Sequence, residues 1–252
     1  MSHAAVFLDR DGTLVYPSHY PSRPEQLRLY EDIGPELCRL QRMGYRLVVI
    51  TNQSGIARGY FDETALQRMH AYLTDELAKV GVHLDGIYYC PHHPAGVVEP
   101  FATSCTCRKP QPGMLLRAAN ELNIDLRHSW FVGDILDDVE AGNRAGCRTI
   151  LVDLGTEAAP TTPLRCPTYI AGSTRQALQL IRSTESGAEQ QRKGIVKHGV
   201  SHVLQRQAKK SLPVAKANVA YCPGSRQNSW QPRGIMPGIT TRKTGISNGY
   251  CF

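Results

Sequence analysis

Three features of this 252-residue sequence predict an α/β fold built on a parallel sheet. Short apolar segments alternate with longer amphipathic ones, which is the pattern of repeated strand–helix units. Several apolar segments are followed directly by acidic or hydroxyl side chains, as happens at the carboxyl ends of strands in doubly wound sheets. No large insertion separates the first two of these segments. We therefore expect a Rossmann-like sheet with helices on both faces, functional groups at one edge and no large cap domain.

The elements are assigned from length and apolar spacing. Runs of four to six mostly apolar residues predict strands, since no polar face is left for solvent on a doubly covered sheet. The strands are expected near 4–8, 46–51, 86–89, 129–133 and 148–152. Apolar residues at helical spacing predict helices near 33–43, 62–80, 112–123, 138–145 and 173–183.

The first predicted strand runs directly into Asp9-Arg10-Asp11-Gly12-Thr13. Two carboxylates at a strand tip can hold Mg²⁺, while one oxygen of Asp9 attacks phosphorus and Asp11 moves a proton. Gly12 allows a sharp turn whose N–H groups can face a phosphate. A solvated turn after a strand has the same local sequence. The interpretation therefore depends on the segments that follow.

Later segments supply the matching groups. Thr51 ends the second predicted strand and can donate a hydrogen bond to a phosphoryl oxygen, although an isolated threonine is more often a cap. Lys109 precedes a proline-primed helix and can neutralise charge on a phosphoryl group. Asp134 follows the fourth strand and is placed to complete the Mg²⁺ site with the two aspartates of the first strand. Asp138, four residues later, is placed to orient Lys109.

This series of motifs resembles the haloacid dehalogenase superfamily of phosphatases. The superfamily pattern is Asp-x-Asp-x-Thr, a Ser or Thr at a strand end, a Lys, and Gly-Asp-x-x-x-Asp. All four parts occur in order between residues 6 and 138. The resemblance implies that Asp9 is the nucleophile and forms an aspartyl-phosphate, with Asp11 as general acid and base. It also implies that Mg²⁺, Thr51 and Lys109 stabilise the phosphoryl group.

A second constellation lies in Cys90-Pro91-His92-His93-Pro94 and Cys105-Thr106-Cys107. Three thiolates and one imidazole form the closed ligand set of structural Zn²⁺. The Cys-x-His spacing favours His92 as the imidazole ligand, with His93 as the alternative. Buried cysteine pairs or a disulfide would also fit the composition, but a disulfide is disfavoured in a cytosolic protein. The expected zinc ligands are Cys90, His92, Cys105 and Cys107.

This cysteine-rich segment has little periodic apolar pattern, so we expect the metal to fold it. Because protein groups would fill all four positions, zinc is expected to be structural. The last thiol lies two residues before Lys109. The metal loop should therefore help to place that lysine.

Together with the segment 51–59, Thr-Asn-Gln-Ser-Gly-Ile-Ala-Arg-Gly, these motifs resemble the zinc-bearing D-glycero-D-manno-heptose-1,7-bisphosphate 7-phosphatase family. The resemblance extends over residues 4 to about 182. It implies removal of the 7-phosphate from a heptose bisphosphate during the synthesis of activated heptose for surface glycans. It also implies that the small sugar phosphate contacts Ser18, His19, Tyr20, Asn52, Gln53, Ser54 and Arg108. Two departures concern substrate contacts: only Tyr20 matches the family's Gly-Tyr pair, and Ile135 replaces a frequent basic residue.

Other functions share parts of this pattern. Histidinol-phosphatases have the zinc motif and Asp-x-Asp, but their second loop typically reads Asn-Gln-Asp-Gly, whereas this chain has Ser54 at the third position. A nucleic-acid 3′-end phosphatase would use the same aspartates with the basic tail as an arm, but the catalytic part is slightly acidic and lacks an aromatic, basic groove. A third alternative is a binding protein that has the zinc loop but no catalytic activity. The complete set of catalytic side chains argues against it.

Residues 186–252 differ in composition from residues 1–185, which are expected to form the phosphatase domain with its zinc loop at 90–107. The final segment has eleven Lys and Arg residues, one acid (Glu189) and few large aliphatic residues. This composition predicts a basic, disordered extension. Its charges are spread out, which favours a non-functional extension over a nucleic-acid-binding arm.

No apolar run reaches the roughly 20 residues that a membrane span needs, and no signal-peptide segment is recognised. The expected protein is therefore a cytoplasmic monomer that has no membrane partner and acts on a small sugar phosphate.

Overall fold

The computed structural model describes residues 2–197, with side chains described to residue 185. Its strands pair in parallel in one sheet of order β3-β2-β1-β4-β5-β6. They are β1 (Ala5–Leu8), β2 (Arg46–Asn52), β3 (Gly86–Cys90), β4 (Trp130–Gly133), β5 (Arg148–Val152) and β6 (Tyr169–Ala171). The α-helices are α1 (Gly34–Arg42), α2 (Glu63–Lys79), α3 (Gly113–Glu121), α4 (Leu136–Ala145) and α5 (Thr174–Lys197).

Apolar side chains cover both faces of the sheet. In β1 the side chains of Val6 and Leu8 belong to one core, which also contains apolar residues of α1, α2 and α5. Phe7 belongs to the opposite core, with residues of α3 and α4. Because successive side chains of a strand point to opposite faces, the continuous apolar run of β1 is buried on both sides. The structure confirms the predicted doubly covered parallel sheet.

The sheet order changes direction at β1, which lies between β2 and β4. At such a switch point the loops after the two neighbouring strands diverge and leave a crevice at the carboxyl edge. The ladder continues one residue beyond β1, where the Asp9 amide donates to the carbonyl of Val132 at 2.9 Å. This places Asp9 on rigid backbone at the floor of the crevice.

All five predicted strands and all five predicted helices are present, with ends shifted by at most two residues except at the C-terminal end of α5. The sequence analysis missed β6, a three-residue edge strand that is too short to give an apolar pattern. Helix α5 continues to Lys197 and so crosses the predicted domain boundary at residue 185. The disordered extension was predicted for residues 186–252, and of these residues 198–252 lie outside the described part of the chain. Among the helices of residues 2–197, none combines the length and apolar character required to cross a membrane.

Candidate active site

The core of the site is an ion-pair network around Lys109. The ammonium group of Lys109 lies 2.6 Å from Oδ1 of Asp9 and 2.6 Å from Oδ1 of Asp138. It also donates to the carbonyl of Ile50 at 3.0 Å. Lys109 and Asp138 are each 1% exposed and Asp9 is 6% exposed, so little water screens these charges. The predicted pairing of Asp138 with Lys109 is therefore present, and it also includes Asp9.

Burial and crowding alter the acidity of these groups. Burial raises the pKa of Asp9 to about 7. The charge of Lys109 acts in the opposite direction, and the charges of Asp138 and Asp11 raise this pKa further. Burial also raises the pKa of Asp134 to about 8, with a contribution from Asp9. Burial would lower the pKa of Lys109, but Asp138 and Asp9 outweigh it and hold that pKa above its ordinary value. One lysine does not balance these carboxylates, so a further cation would be stabilised here.

Carboxylate oxygens of Asp9, Asp134 and Asp138 lie within 4.8 Å of one another, and hard oxygen donors of this kind fit Mg²⁺. The turn after β1 makes room for this approach. Gly12 has a φ of +83°, and a Cβ there would lie 2.2 Å from Oδ2 of Asp134. The observed group differs from the predicted metal set because Asp138 takes the place of the carboxylate of Asp11.

The carboxylate of Asp11 faces Arg10 and Gln53. Arg10 donates from Nε to Oδ2 at 3.0 Å, and its Nη2 lies 2.8 Å from the same oxygen. Gln53 donates from Nε2 to Oδ2 at 3.1 Å. The side chain of Arg10 is wholly buried. The sequence analysis assigned it no role, because nothing in the sequence indicates burial of a charged residue between two acids at a strand tip.

Gln53 and Asn52 were predicted to contact substrate, but their amides are engaged inside the protein. Gln53 also donates to Oγ1 of Thr51 at 2.8 Å, which leaves the Thr51 hydroxyl hydrogen available for a phosphoryl oxygen. Asn52 accepts from the Lys109 amide at 3.0 Å and donates to the Lys109 carbonyl at 3.2 Å. Asn52 therefore fixes the main chain from which Lys109 extends.

A cavity of about 320 Å³ lies beside Asp11. Tyr20, on one wall, has a φ of +48°, which is uncommon for a residue other than glycine. Its ring contacts His19 and the half-exposed Tyr60 edge-on, with centroid distances of 4.8 and 4.7 Å. Six of the seven predicted substrate residues line this cavity: Ser18, His19, Tyr20, Asn52, Gln53 and Ser54. The sequence analysis did not consider Tyr60, which contacts this wall of the cavity through Tyr20.

The predicted zinc ligands come together in one cluster. Sγ of Cys107 lies 3.3 Å from Sγ of Cys90, 3.1 Å from Sγ of Cys105 and 3.4 Å from Nδ1 of His92. A tetrahedral zinc centre with bonds of about 2.3 Å would separate its ligands by roughly 3.7 Å. The donor set and its spacing therefore fit Zn²⁺.

The hydrogen bond between Cys90 and Cys107 shifts the two thiols in opposite directions, since it raises the pKa of Cys90 and lowers that of Cys107. The neighbouring Cys90 thiol, with help from Cys105 and His92, lowers the pKa of Cys107 to about 5 against the effect of burial. A thiolate is the form of cysteine that binds metal.

His93, the alternative imidazole, lies outside this cluster. Its Nδ1 accepts from the Ala95 amide at 3.0 Å, and its Nε2 lies 3.0 Å from Nη2 of Arg58. Burial, Arg108 and Arg58 lower the pKa of His93. The structure thus favours His92 as the imidazole ligand and places His93 beside Arg58.

The cysteine cluster is joined to the catalytic edge of the sheet. Cys90 ends β3 opposite Asn52 of β2, and the Gln53 amide donates to the carbonyl of Cys90 at 2.8 Å. At the other end of the loop, the Arg108 amide donates to Sγ of Cys105 at 3.3 Å. Lys109 follows directly. The cluster therefore fixes one side of the segment that carries Lys109, and Asn52 fixes the other.

Comparisons with known proteins agree with this geometry. The HAD-hydrolase-like family matches residues 106–177. The D-glycero-beta-D-manno-heptose-1,7-bisphosphate 7-phosphatase of Escherichia coli strain K12 is 40% identical over 186 residues, which cover 73% of this chain and 97% of that enzyme. The enzyme of the same name from Photorhabdus laumondii is 47% identical over 152 residues, 60% of this chain and 81% of the relative.

A solved structure shows the same fold. The D,D-heptose 1,7-bisphosphate phosphatase from B. bronchiseptica, complexed with magnesium and phosphate, is 30% identical with a TM-score of 0.62. The match covers 72% of this chain and 99% of that protein.

Proposed function

We infer the function from the family to which this chain belongs, the D-glycero-beta-D-manno-heptose-1,7-bisphosphate 7-phosphatase family of the haloacid dehalogenase superfamily. The chain removes the 7-phosphate from that heptose bisphosphate. The observation that carries the proposal is the buried Asp9–Lys109 pair at the carboxyl edge of the sheet, with Asp11 beside a cavity of about 320 Å³. A nucleophile, a charge-stabilising lysine and an acid/base group are the parts that hydrolysis of a phosphomonoester requires.

In the first half-reaction, Asp9 is the nucleophile. Lys109 binds its Oδ1, so the other carboxylate oxygen attacks phosphorus and forms an aspartyl-phosphate. Thr51 donates its hydroxyl hydrogen to a phosphoryl oxygen, and Lys109 balances the negative charge of the group in transfer. Asp11 gives a proton to the sugar oxygen as the P–O bond breaks.

In the second half-reaction, Asp11 accepts a proton from water. The hydroxide equivalent attacks the phosphorus of the aspartyl-phosphate, the bond to Asp9 breaks, and inorganic phosphate leaves. Asp9 is regenerated as a carboxylate, and Asp11 again holds the proton required by the next leaving group. Protons and electron pairs therefore balance over the cycle.

Mg²⁺ would be held by Asp9, Asp11 and Asp134, and it would supply positive charge for the phosphoryl oxygens. The crowded carboxylates with raised pKa values support a cation at this position. Asp138 is occupied by Lys109, which leaves Asp134 as the more available of the two later acids. Both carboxylate oxygens of Asp11 accept from Arg10, and Oδ2 also accepts from Gln53, so a contribution of Asp11 to the metal would come through its main-chain carbonyl oxygen.

Zn²⁺ would be held by the cysteine cluster and would stabilise the loop. Because four protein ligands close that set, its proposed role is to order the segment before Lys109. A monomeric state and a cytoplasmic location remain predictions from the sequence.

Two arginines near the cysteine cluster bear on a substrate with a second phosphate, although neither lines the cavity of about 320 Å³. Nη2 of Arg58 lies 3.0 Å from Nε2 of His93, and the charges of Arg108 and Arg58 both lower the pKa of His93. Arg108 directly precedes Lys109 and also donates from Nη1 to the carbonyl of His92 at 3.4 Å. We assign Arg108 to the sugar or its distal phosphate. An arginine fork suits a phosphate group better than a neutral sugar.

The proposal is tested by measuring phosphate release, with Mg²⁺ present, from the heptose 1,7-bisphosphate and from histidinol phosphate side by side. Rapid turnover of the heptose bisphosphate alone is expected. If histidinol phosphate is the better substrate, the distinction based on Ser54 is wrong and the enzyme is a histidinol-phosphatase. If both are inert but a 3′-phosphorylated oligonucleotide is hydrolysed, the nucleic-acid alternative replaces the proposal.

A further inference from the structure

We propose that Arg10 and Gln53 are positioning residues that hold the carboxylate of Asp11 for proton transfer and align it with the phosphoryl-binding hydroxyl of Thr51. This inference rests on the proposed phosphatase function and adds to it two residues that would act through Asp11 and Thr51.

Arg10 is fully buried although it carries a charge. Removing a guanidinium group from water is costly unless acceptors surround it. Here the acceptors are the carboxylate of Asp11, through Nε and Nη2, and Oε1 of Gln53, 3.0 Å from Nη2. The planar fork of Arg10 fixes the carboxylate in direction as well as distance. A lysine would supply the same charge at one point only.

Gln53 is 4% exposed, and its amide bonds at both ends. Its oxygen accepts from Arg10, while its Nε2 donates to Oδ2 of Asp11 at 3.1 Å and to Oγ1 of Thr51 at 2.8 Å. An amide nitrogen has two hydrogens, and these two bonds use both. A flipped amide would face the donor of Arg10 with another donor, so the orientation of Gln53 is determined.

Asp11 is the member of this network that is most exposed to the substrate cavity. Its side chain is 28% exposed, against 1% for Arg10, and it faces the cavity where the sugar would bind. Thr51 would hold the phosphoryl group and Asp11 would protonate the leaving oxygen. Because one amide bonds to both, the distance between these groups is set within the protein before substrate arrives. Proton transfer depends steeply on such positioning.

The test compares two phosphate esters in Arg10→Lys and Gln53→Met variants of the full chain with Mg²⁺ present. The heptose bisphosphate releases an alkoxide that requires a proton, whereas p-nitrophenyl phosphate releases a stable phenolate that does not. Since kcat/KM covers the steps through release of the alcohol, we expect a loss of about tenfold or more for the sugar ester. For p-nitrophenyl phosphate we expect a change of less than about threefold in Arg10→Lys. In Gln53→Met, which also releases the Thr51 hydroxyl, we expect a loss that stays well below the loss for the sugar ester. Arg117→Lys, an exposed substitution on α3, is the matched control.

An equal loss for both esters would overturn the proposal, because it would assign Arg10 and Gln53 to folding or to general charge stabilisation. No loss for either ester would overturn it as well. The methionine of Gln53→Met is uncharged and similar in shape to glutamine. This variant therefore still tests the proposal if the buried lysine of Arg10→Lys prevents folding. The same comparison between phenyl phosphate and p-nitrophenyl phosphate applies if the heptose bisphosphate is not the substrate. A wrong substrate assignment is thereby distinguished from a wrong role for Arg10 and Gln53.

Discussion

The cysteine cluster and the carboxylate site collect their donors in different ways. The cluster takes four donors from two short segments between residues 90 and 107, which have little core of their own. The carboxylate site takes Asp9, Lys109 and Asp134 from three separate parts of the chain, and the parallel sheet brings them to one edge. In the cluster a metal would hold the loop together, whereas in the site the fold holds the donors in place.

Because of this difference, the carboxylate site should control mainly the reaction rate, and the cysteine cluster mainly the stability of the fold. Lys109 already neutralises part of the carboxylate charge, so protein contacts hold Asp9 and Asp138 in place before any metal binds. The cysteine cluster is organised by three thiols and one imidazole, with Sγ of Cys107 3.1 Å from Sγ of Cys105 and Sγ of Cys90 3.7 Å from Nδ1 of His92. Substitutions in the carboxylate site should therefore change rate with little effect on folding, and substitutions in the cluster should change folding first.

The largest expected effect is that of Asp9→Asn. The substitution keeps the shape of the side chain but removes the nucleophile, so turnover should fall on the order of 10⁴-fold or more. Lys109 retains its ion pair with Asp138, which leaves no buried charge unpaired, and the thermal midpoint should stay close to that of the wild type. Phosphate release and thermal unfolding by circular dichroism are the measurements. Asp75→Asn, on the exposed face of α2, is the control, and substantial activity in Asp9→Asn would exclude an aspartyl-phosphate.

Cys107→Ser should have the next largest effect, and on stability. Cys107 contacts all three other members of the cluster, so its loss should lower both zinc stoichiometry and the free energy of unfolding, the latter by several kcal/mol. Metal analysis and denaturant unfolding are the measurements. In Cys38→Ser, a matched control outside the cluster, the hydroxyl can keep the hydrogen bond to the carbonyl of Val80. Unchanged zinc content in Cys107→Ser would contradict the four-ligand assignment.

Asn52→Ala should have a smaller effect and tests the connection between the two regions. The substitution removes both side-chain bonds to the main chain of Lys109, so kcat should fall about tenfold through misplacement of the ammonium group. Zinc content should not change. The measurement is kcat and KM of Asn52→Ala, compared with those of the control Asn120→Ala at an exposed position. A rise in KM with unchanged kcat would instead indicate that Asn52 contacts substrate, as the sequence analysis expected.

Much of this arrangement was predictable from sequence because it depends on local patterns. The five longer strands have apolar runs, the acids after β1 and β4 follow those runs, and the cysteine spacing indicates a metal loop. The roles of Gln53 and Asn52 were not predictable in the same way. An amide in a polar loop can face solvent or backbone, and only the packed structure determines which. Arg10 was missed because burial of a charged side chain depends on its partners, and Gln53, one of them, is 43 residues away.

The smallest expected effect distinguishes the two adjacent histidines of the cysteine-rich loop. His92 presents Nδ1 to Cys107 at 3.4 Å and to Cys90 at 3.7 Å, whereas His93 bonds to the Ala95 amide and lies beside Arg58. His93→Gln should therefore leave zinc stoichiometry and the thermal midpoint almost unchanged, while His92→Gln should lose metal. Metal analysis of the two purified variants gives the comparison. Loss of zinc in His93→Gln together with retention of zinc in His92→Gln would reverse the assignment. The loop would then have to rearrange to bring His93 to the three thiols.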